Sequence, residues 1–538
     1  MSSTALADRQ WFGHPRGLST LFFTEMWERF SYYGMRGLLL LFLVANIRTG
    51  GFGMTDRTGA AIYGLYVAAV YLFALPGGWI ADRILGQRRA VFLGGCIIAA
   101  GHFSMAIPTV PSFYIGLCLI VVGVGLLKPN VSAMVGDLYP EGGARRDAGF
   151  SVFYSGINLG AFAGPIVCGL LGEKVNWHLG FSAAGVGMVL GLIQYSMGGK
   201  YLGNAGLRRA EPGAEAAAAR SRRQLGMGIA VALAAAAVLA ALHFSGVVAL
   251  TLVSFASGAK YFMVGLAILY FAWVIVFGRL DSAQRKRVGA IFIFFVAAVL
   301  FWAGYEQAGS SLNLFAERLT ERLILGWQMP SSVLQSVNPI FIILFAPVFG
   351  AIWLRLGARQ PSTPAKMGFG LAFLALGFFL LAWGATYTVG GVRVTPMWLV
   401  GTYFLHTVGE LCLSPVGLSS VTKLSPKHLV GQMMGTWFMG TALGNLLAGL
   451  AAGGFSEKPV SAQFSSVGYF TMGSGVLLLL LSPLIVRFLI GVENPVAAET
   501  DVTLISARNL VPEEPDEPKG RVTLLSKRWL LPEGDRKK

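Results

Sequence analysis

Long apolar stretches alternate with short polar ones along the whole chain. Fourteen apolar runs stand at about 18–45, 58–82, 89–108, 112–137, 147–172, 179–198, 223–244, 259–278, 286–308, 331–356, 366–386, 396–420, 429–452 and 465–490. Each comes near or exceeds the roughly 20 residues that an α-helix needs to cross about 30 Å of hydrocarbon. The pattern predicts an all-α integral membrane protein with fourteen transmembrane helices. Composition sharpens this reading. Of 538 residues, 55% are hydrophobic and only 13% charged, against about 25% charged in an ordinary soluble domain. A surface that apolar is stable in lipid and not in water. The glycine count of 70 suits helices that pack closely in a bilayer.

The formal net charge is +16. In a soluble chain this would suggest a nucleic-acid partner. Here the basic residues fall in short loops, and they alternate from loop to loop. One set holds Arg83, Arg88, Arg89, Arg145, Arg146, Lys200, Arg208, Arg209, Arg220, Arg222 and Arg223. It continues with Arg279, Arg285, Lys286, Arg287, Arg355, Arg359, Lys366, Lys423 and Lys427. The other set holds fewer: Arg48, Arg57, Lys174, Lys260, Arg318, Arg322, Arg393 and Lys458. The excess marks the cytoplasmic side. An inner-membrane protein with both termini cytoplasmic is therefore expected, with no nucleic-acid partner. Cys96, Cys118, Cys168 and Cys412 all lie in apolar runs without C-x-x-C spacing, so neither a disulfide framework nor a metal site is indicated, and no cofactor is expected. Residues 1–16 are polar and contain no signal-peptide core.

Two internal repeats are visible. Gly78-Trp-Ile-Ala-Asp82-Arg83-Ile-Leu-Gly86-Gln-Arg88-Arg89 follows the second run, and Gly350-Ala-Ile-Trp-Leu-Arg355-Leu-Gly357-Ala-Arg359 follows the tenth. Their shared Gly, Arg, Gly, Arg order resembles the loop signature that recurs in each six-helix half of the major facilitator superfamily. That resemblance implies an N-terminal bundle at 18–198 and a C-terminal bundle at 286–490. The runs at 223–244 and 259–278 then form an extra hairpin within a 199–285 linker, outside the bundles. Residues 1–17 read as a cytoplasmic N-terminus. The tail at 491–538 carries a short repeat, Asp501-Val-Thr-Leu-Ile-Ser and then Arg521-Val-Thr-Leu-Leu-Ser. Two copies are too few for a solenoid.

Charges inside the apolar runs carry the chemistry. An ionisable group near mid-bilayer costs several kcal/mol unless it lines a polar cavity or is paired. The first run contains Glu25, Glu28, Arg29, Tyr32, Tyr33 and Arg36. Positions 25, 28, 29, 32 and 36 fall on one stripe at about 100° per residue. One ion pair a turn apart could serve helix packing alone, but five polar groups on one stripe exceed that need. They must face a cavity. The other membrane charges are Lys128, Glu306 and Glu410. The N-terminal half thus supplies a mostly basic wall and the C-terminal half an acidic one. A zwitterion suits that field, carboxylate toward Arg29 and Lys128, amine toward Glu410.

The segment Glu25-x-x-Glu28-Arg29-Phe30-x-Tyr32-Tyr33-Gly34 matches the E-x-x-E-R-F-x-Y-Y-G motif and resembles the bacterial proton-dependent oligopeptide transporter family. Phe153-Tyr154-Ser-Gly-Ile-Asn158-Leu-Gly160, Leu127-Lys128-Pro129-Asn130, Phe301-Trp302-Ala-Gly-Tyr-Glu306-Gln307, Ser336-Val-Asn338-Pro339 and Gly409-Glu410-Leu-x-x-Ser414-Pro415 are similar to further segments of that family. The resemblance implies a proton-coupled symporter importing di- and tripeptides by alternating access. Under it, Glu25, Glu28 and Arg29 couple the proton. Arg29, Tyr32, Tyr33, Arg36, Tyr66, Lys128, Asn158, Asn338, Glu410 and Trp437 bind the substrate. Arg36 with Glu306 forms one gate and Lys128 with Glu410 the other. Mammalian members carry a histidine ahead of the position of Tyr66, and Thr58 to Leu65 has none, so coupling is expected to rest on carboxylates. His406, one turn before Glu410, reads either as a partner of that glutamate or as a core histidine. A proton-coupled transporter of another anion or metabolite, such as nitrate, is the alternative. No metal cluster, G-x-S-x-G or phosphate loop suggests an enzyme.

Overall fold

The computed structural model describes residues 10–141, 143–207 and 214–489. The repeat in the tail, and Arg208 and Arg209 of the linker, lie outside the described residues. Among those described, fourteen helices have 20 residues or more. They are α1 (Gly17–Val44), α2 (Asp56–Ile80), α3 (Gln87–Ala106), α4 (Val110–Asp137), α5 (Gly143–Lys174), α6 (Trp177–Gly198), α7 (Ala214–Phe244), α8 (Leu252–Phe277), α9 (Ser282–Tyr305), α10 (Val337–Leu356), α11 (Thr363–Thr386), α12 (Met397–Leu424), α13 (Val430–Ala452) and α14 (Val460–Leu489). Eleven are long and apolar enough to cross a membrane by hydropathy alone. The three that fall short are α1, α12 and α13, and all three carry expected site residues.

The helices alternate in direction. Call the end where α1 begins the N-terminal face, and the end holding the α1–α2 loop the distal face. Local chemistry sets several boundaries. The Thr55 hydroxyl accepts from Thr58 N at 3.3 Å and starts α2. Capping boxes start α8 at Thr251 with Ser254, and α9 at Asp281 with Gln284. Both copies of the loop signature stop a helix at a left-handed glycine, Gly86 at φ +79° and Gly357 at φ +49°. The two copies thus share a positive φ at the glycine that ends the helix, as well as residue order, although only the first contains an aspartate.

Packing follows the twofold arrangement. In the N-terminal half α1 is the most enclosed helix, lying against α5 and α6, while α2, α3 and α4 pack together. In the C-terminal half α11 packs on α12 and α14, and α9 on α13. The halves meet along two seams, α2 with α13 and α5 with α10. Glycine makes the first seam possible: a Cβ on Gly449 would meet Ala60 O at 2.7 Å. Gly160 likewise brings α5 onto α1, where a Cβ would meet Arg29 Cβ at 2.9 Å. The inserted pair begins earlier than hydropathy indicates, α7 by nine residues and α8 by seven. α8 lies against α2 and α13, on the outside of their seam, while α7 touches the bundle mainly at Ala81–Leu85. None of the most apolar stretch of α7 is buried.

Candidate functional site

The stripe on α1 faces inward and is shielded from solvent. Glu25 is 2% exposed, Glu28 0% and Arg29 3%. Arg29 sits between the carboxylates: its Nε lies 3.0 Å from Glu25 Oε1, and its Nη2 pairs with Glu28. The guanidinium carbon also stands 5.2 Å from the Tyr32 ring. Removing one partner of a buried pair leaves an uncompensated charge, at about 3–5 kcal/mol, so the three groups form one unit. Lys128 on α4 is within electrostatic reach of all three. Its Nζ sits 4.1 Å from the Tyr71 ring. The hydroxyls of Tyr32 and Tyr66 and one oxygen of Glu25 are buried without a protein hydrogen-bond partner.

The opposite wall belongs to α9, α10 and α12. Tyr305 donates a hydrogen bond to Glu410. Asn338, in the first turn of α10, donates to Thr407 Oγ1 at 2.8 Å. Asn158 of α5 donates to Tyr154 O at 3.0 Å. Tyr154 lies within electrostatic reach of Glu410 and Tyr33, yet it is 41% exposed. Solvent therefore reaches the space between the walls. Trp437 is buried and packs on Gly417. His406 is buried against Gly377 and Phe378, and neither ring nitrogen bonds Glu410. Tyr305 occupies that role instead.

The bundles are joined at the distal face by a central ion pair and by contacts on either flank. At the centre Arg36 Nη2 is 2.5 Å from Glu306 Oε2, and Arg36 Nε donates to Tyr63 OH at 2.7 Å. The end of α9 makes this possible. It stops at Tyr305, and a 3-10 turn, Glu306–Gly309, leads to a short helix, Ser311–Arg318. Irregular backbone at membrane depth is tolerated where it lines a cavity or is covered by protein. On one flank Arg318 donates twice to Asp56 of α2, at 2.7 and 2.8 Å, and Ser456 also donates to Asp56. On the other flank Glu173 of α5 accepts from Ser331 N at 2.7 Å, Ser331 Oγ at 2.8 Å and Ser332 N at 2.9 Å. Arg322 stands 3.8 Å from the same carboxylate. Short of both flanks, Asn313 donates to Gly37 O at 2.8 Å. Toward the N-terminal face, by contrast, Lys128 and Glu410 make no ion pair with each other within 4.0 Å.

The structure thus brings Glu25, Glu28 and Arg29 together, pairs Arg36 with Glu306, and leaves Lys128 and Glu410 on separate walls. Sequence reasoning missed Tyr63, Tyr71 and Tyr305, which partner Arg36, Lys128 and Glu410. It also missed Asp56, Glu173, Arg318 and Arg322. A tyrosine directly before Glu306 was the one available signal for Tyr305.

The chain is similar to known proteins in sequence and in fold. A sequence model described as "POT family" matches residues 88–467. The peptide transporter YePEPT of Yersinia enterocolitica subsp. palearctica is 41% identical over 464 residues, covering 84% of this chain and 90% of its own. The di-/tripeptide transporter of Lactococcus lactis subsp. lactis is 33% identical over 507 residues, covering 91% and 99%. A crystal structure of a peptide transporter POT in complex with sulfate superposes with a TM-score of 0.83 at 40% identity, covering 91% of this chain and 99% of the other.

Proposed function

The chain belongs to the POT family, and on that premise we propose that it is a proton-coupled symporter that imports di- and tripeptides across the bacterial inner membrane by alternating access. The observation that carries this reading is the pair of opposed walls. One presents Arg29 and Lys128 beside two carboxylates; the other presents Glu410 with Tyr305 and Asn338. A peptide carboxylate is drawn to the first wall and its ammonium to the second. The buried hydroxyls of Tyr32 and Tyr66 and the indole of Trp437 contact backbone and shape, which suits a site that must admit many side chains. Nitrate would engage the basic wall and leave Glu410 without a counterpart.

The excess of basic residues in the loops supports a cytoplasmic N-terminal face, with both termini on that side. The distal face is then outside, and the ion pairs and hydrogen bonds across it support a state closed at that end and open toward the cytoplasm. Residues 18–198 and 286–490 are the moving bundles, and α7 with α8 stays outside them. Arg36 with Glu306 is the outer gate and Lys128 with Glu410 the inner one.

Coupling follows from the Arg29 unit. An arriving peptide carboxylate competes with Glu25 and Glu28 for the guanidinium. The displaced glutamate loses its partner in a site poor in water, and a neutral carboxyl is then the more stable form. Peptide and proton thus bind together, and linkage makes the effect mutual. A membrane potential of 100 mV supplies about 2.3 kcal/mol per charge, nearly fiftyfold accumulation at roughly 1.4 kcal/mol per factor of ten. One proton per peptide is enough for useful uptake.

The test is transport of dialanine by the purified chain in liposomes. Glu25→Gln with Glu28→Gln fixes the neutral form at both positions. That variant is expected to keep peptide counterflow, which needs no proton gradient, and to lose accumulation driven by an imposed pH gradient. Full acid-driven accumulation by the double variant would remove these glutamates from the coupling site. Uptake of nitrate in place of any peptide by the unmodified chain would overturn the substrate.

A further inference from the structure

Where α8 docks on the seam between α2 and α13, a pocket of about 330 Å³ opens at the distal face. We propose that it binds the phosphate-bearing headgroup of a membrane phospholipid. Its charged lining is Arg57 at the start of α2, Lys260 on α8, and Glu457 and Lys458 in the α13–α14 loop. Three cations face one carboxylate, and Glu457 is already taken by Arg57 at 3.7 Å. Lys260 and Lys458 form no ion pair within 4.0 Å among the described residues. Lys260 lies eight residues past Leu252, about 12 Å along the helix at about 1.5 Å per residue. That depth is where a span passes from headgroups toward hydrocarbon. Its Nζ stands 4.4 Å from the Tyr261 ring, a contact that supplies no counter-charge, and a cation at that depth is further stabilised by an anion from outside the chain.

Gln463 adds a second demand. It is 8% exposed and lines the pocket. Its amide nitrogen donates to Ala451 O at 2.8 Å, and its Oε1 is buried without a partner. A buried unsatisfied acceptor costs about 1–3 kcal/mol. A ligand carrying an O–H or N–H next to its phosphate meets both demands, as the headgroups of phosphatidylglycerol and phosphatidylethanolamine do. Phosphatidylcholine has the phosphate but no donor. The surroundings favour a lipid over a dissolved anion. The same elements present apolar side chains outward, Phe255 at 48% and Phe262 at 70% exposure on α8, and Phe470 at 64% on α14, where acyl chains lie. Because α2 and α13 belong to different halves, a headgroup held here bridges them and pins the inserted helix to their seam. The site is independent of what the central cavity carries.

Native mass spectrometry of the full-length chain in detergent, titrated with dioleoylphosphatidylglycerol, tests the assignment. One tightly held lipid is expected. Lys260→Ala and Lys458→Ala are each expected to weaken it about fivefold, the equivalent of about 1 kcal/mol per surface cation. Lys174→Ala, on the same face outside the pocket, leaves it unchanged. Lys260→Arg with Lys458→Arg keeps the charge and keeps the lipid, which separates charge from folding. Gln463→Met lowers affinity for phosphatidylglycerol to that for dioleoylphosphatidylcholine and leaves the latter as it was. Unchanged affinity in the double alanine variant overturns the proposal. So does displacement of the lipid by an equal concentration of inorganic phosphate, which would make this a site for a free anion.

Discussion

The two ends of the inter-bundle interface use the same kinds of residue in opposite ways. At the distal face, charges reach across: Arg36 to Glu306, Arg318 to Asp56, and Glu173 to the backbone at Ser331 and Ser332. Toward the N-terminal face, charges stay at home. Lys128 rests on Tyr71, both from the N-terminal half, and Glu410 accepts from Tyr305, both from the C-terminal half. Neither end therefore holds a buried charge without a partner, which would cost several kcal/mol. The contrast teaches how such a protein can have two states of similar energy. Opening the distal end need not strand Lys128 and Glu410, because the aromatic partners they leave are exchanged for each other. Two discrete packings, each satisfied, are what a bistable element requires.

The largest effect is expected where a cross-bundle pair is most buried. Glu306→Ala strands Arg36, which is 5% exposed, at about 3–5 kcal/mol. The distal-closed state should fall from dominant to minor, a shift of roughly a hundredfold or more. Spin labels at Ile47 and Val389, exposed by 74% and 80%, on a background with the four cysteines replaced, would report a longer distance. An unchanged distance would show that Arg36–Glu306 is a packing contact and that the comparison between ends is accidental. Arg36→Glu with Glu306→Arg should recover part of the closure.

A smaller effect belongs to the flank. Glu173→Gln keeps the shape, but both Glu173 oxygens accept, so the amide NH2 must replace one acceptor: at least one of the three hydrogen bonds that cap the turn ahead of α10 is lost and the remainder lose their charge. Charge-assisted bonds are about twice as strong as neutral ones. A shift of roughly fivefold to tenfold toward the distal-open state is expected, about 1–1.5 kcal/mol. It would be read as a higher rate of modification, from the distal side, of a cysteine placed at Gly37. No change in that rate would reduce Glu173 to a local helix cap.

How much of this was legible depends on whether a residue is conspicuous in its setting. Glu25, Glu28, Arg29 and Arg36 stood out because charge inside an apolar run needs a reason, and the structure places all four in the interior. Asp56 and Glu173 sit at helix ends, where charge is ordinary in water, and nothing in the sequence says that each meets the other bundle. Tyr63, Tyr71 and Tyr305 were hidden differently. A tyrosine reads as apolar bulk in a span, and its hydroxyl matters only once a neighbouring charge is located. His406 shows the converse. Its spacing to Glu410 suits a hydrogen bond, yet its ring turns toward Gly377 and Phe378. Helix count and order were legible from hydropathy, and a helix ends at the positive-φ Gly357 of the second loop copy, as one does at Gly86 of the first. The starts of α7 and α8 were not, because Ala214 onward is helix-forming without being strongly apolar, and the capping box at Thr251 and Ser254 lies outside the apolar run.

The smallest effect falls on the home partners, and it is the sharpest test of partner exchange. If Tyr71 and Tyr305 only fill space, then Tyr71→Leu and Tyr305→Phe, which preserve bulk, should leave the balance between states unchanged. If they hold Lys128 and Glu410 while the distal end is closed, each substitution weakens the closed state alone. The cation–π contact at Tyr71, beside a half-buried lysine, is worth about 0.5–1 kcal/mol, and the hydroxyl of Tyr305 about the same net of the bonds Glu410 makes in its absence. Deprived of these partners, the lysine and the glutamate are better served by one another, and that pairing draws the N-terminal face together. Each variant should therefore raise the population of the opposite state by roughly twofold to fivefold. Labels at Glu141, beyond the end of α4, and Lys423, at the end of α12, should report a shorter distance. The sign matters more than the size. Loss of a stabilising contact ordinarily loosens a structure, whereas partner exchange requires these two losses to close one end of it. A longer distance, or none of the change, would mean that Lys128 and Glu410 do not compete for each other, and the symmetry drawn between the two ends would fail.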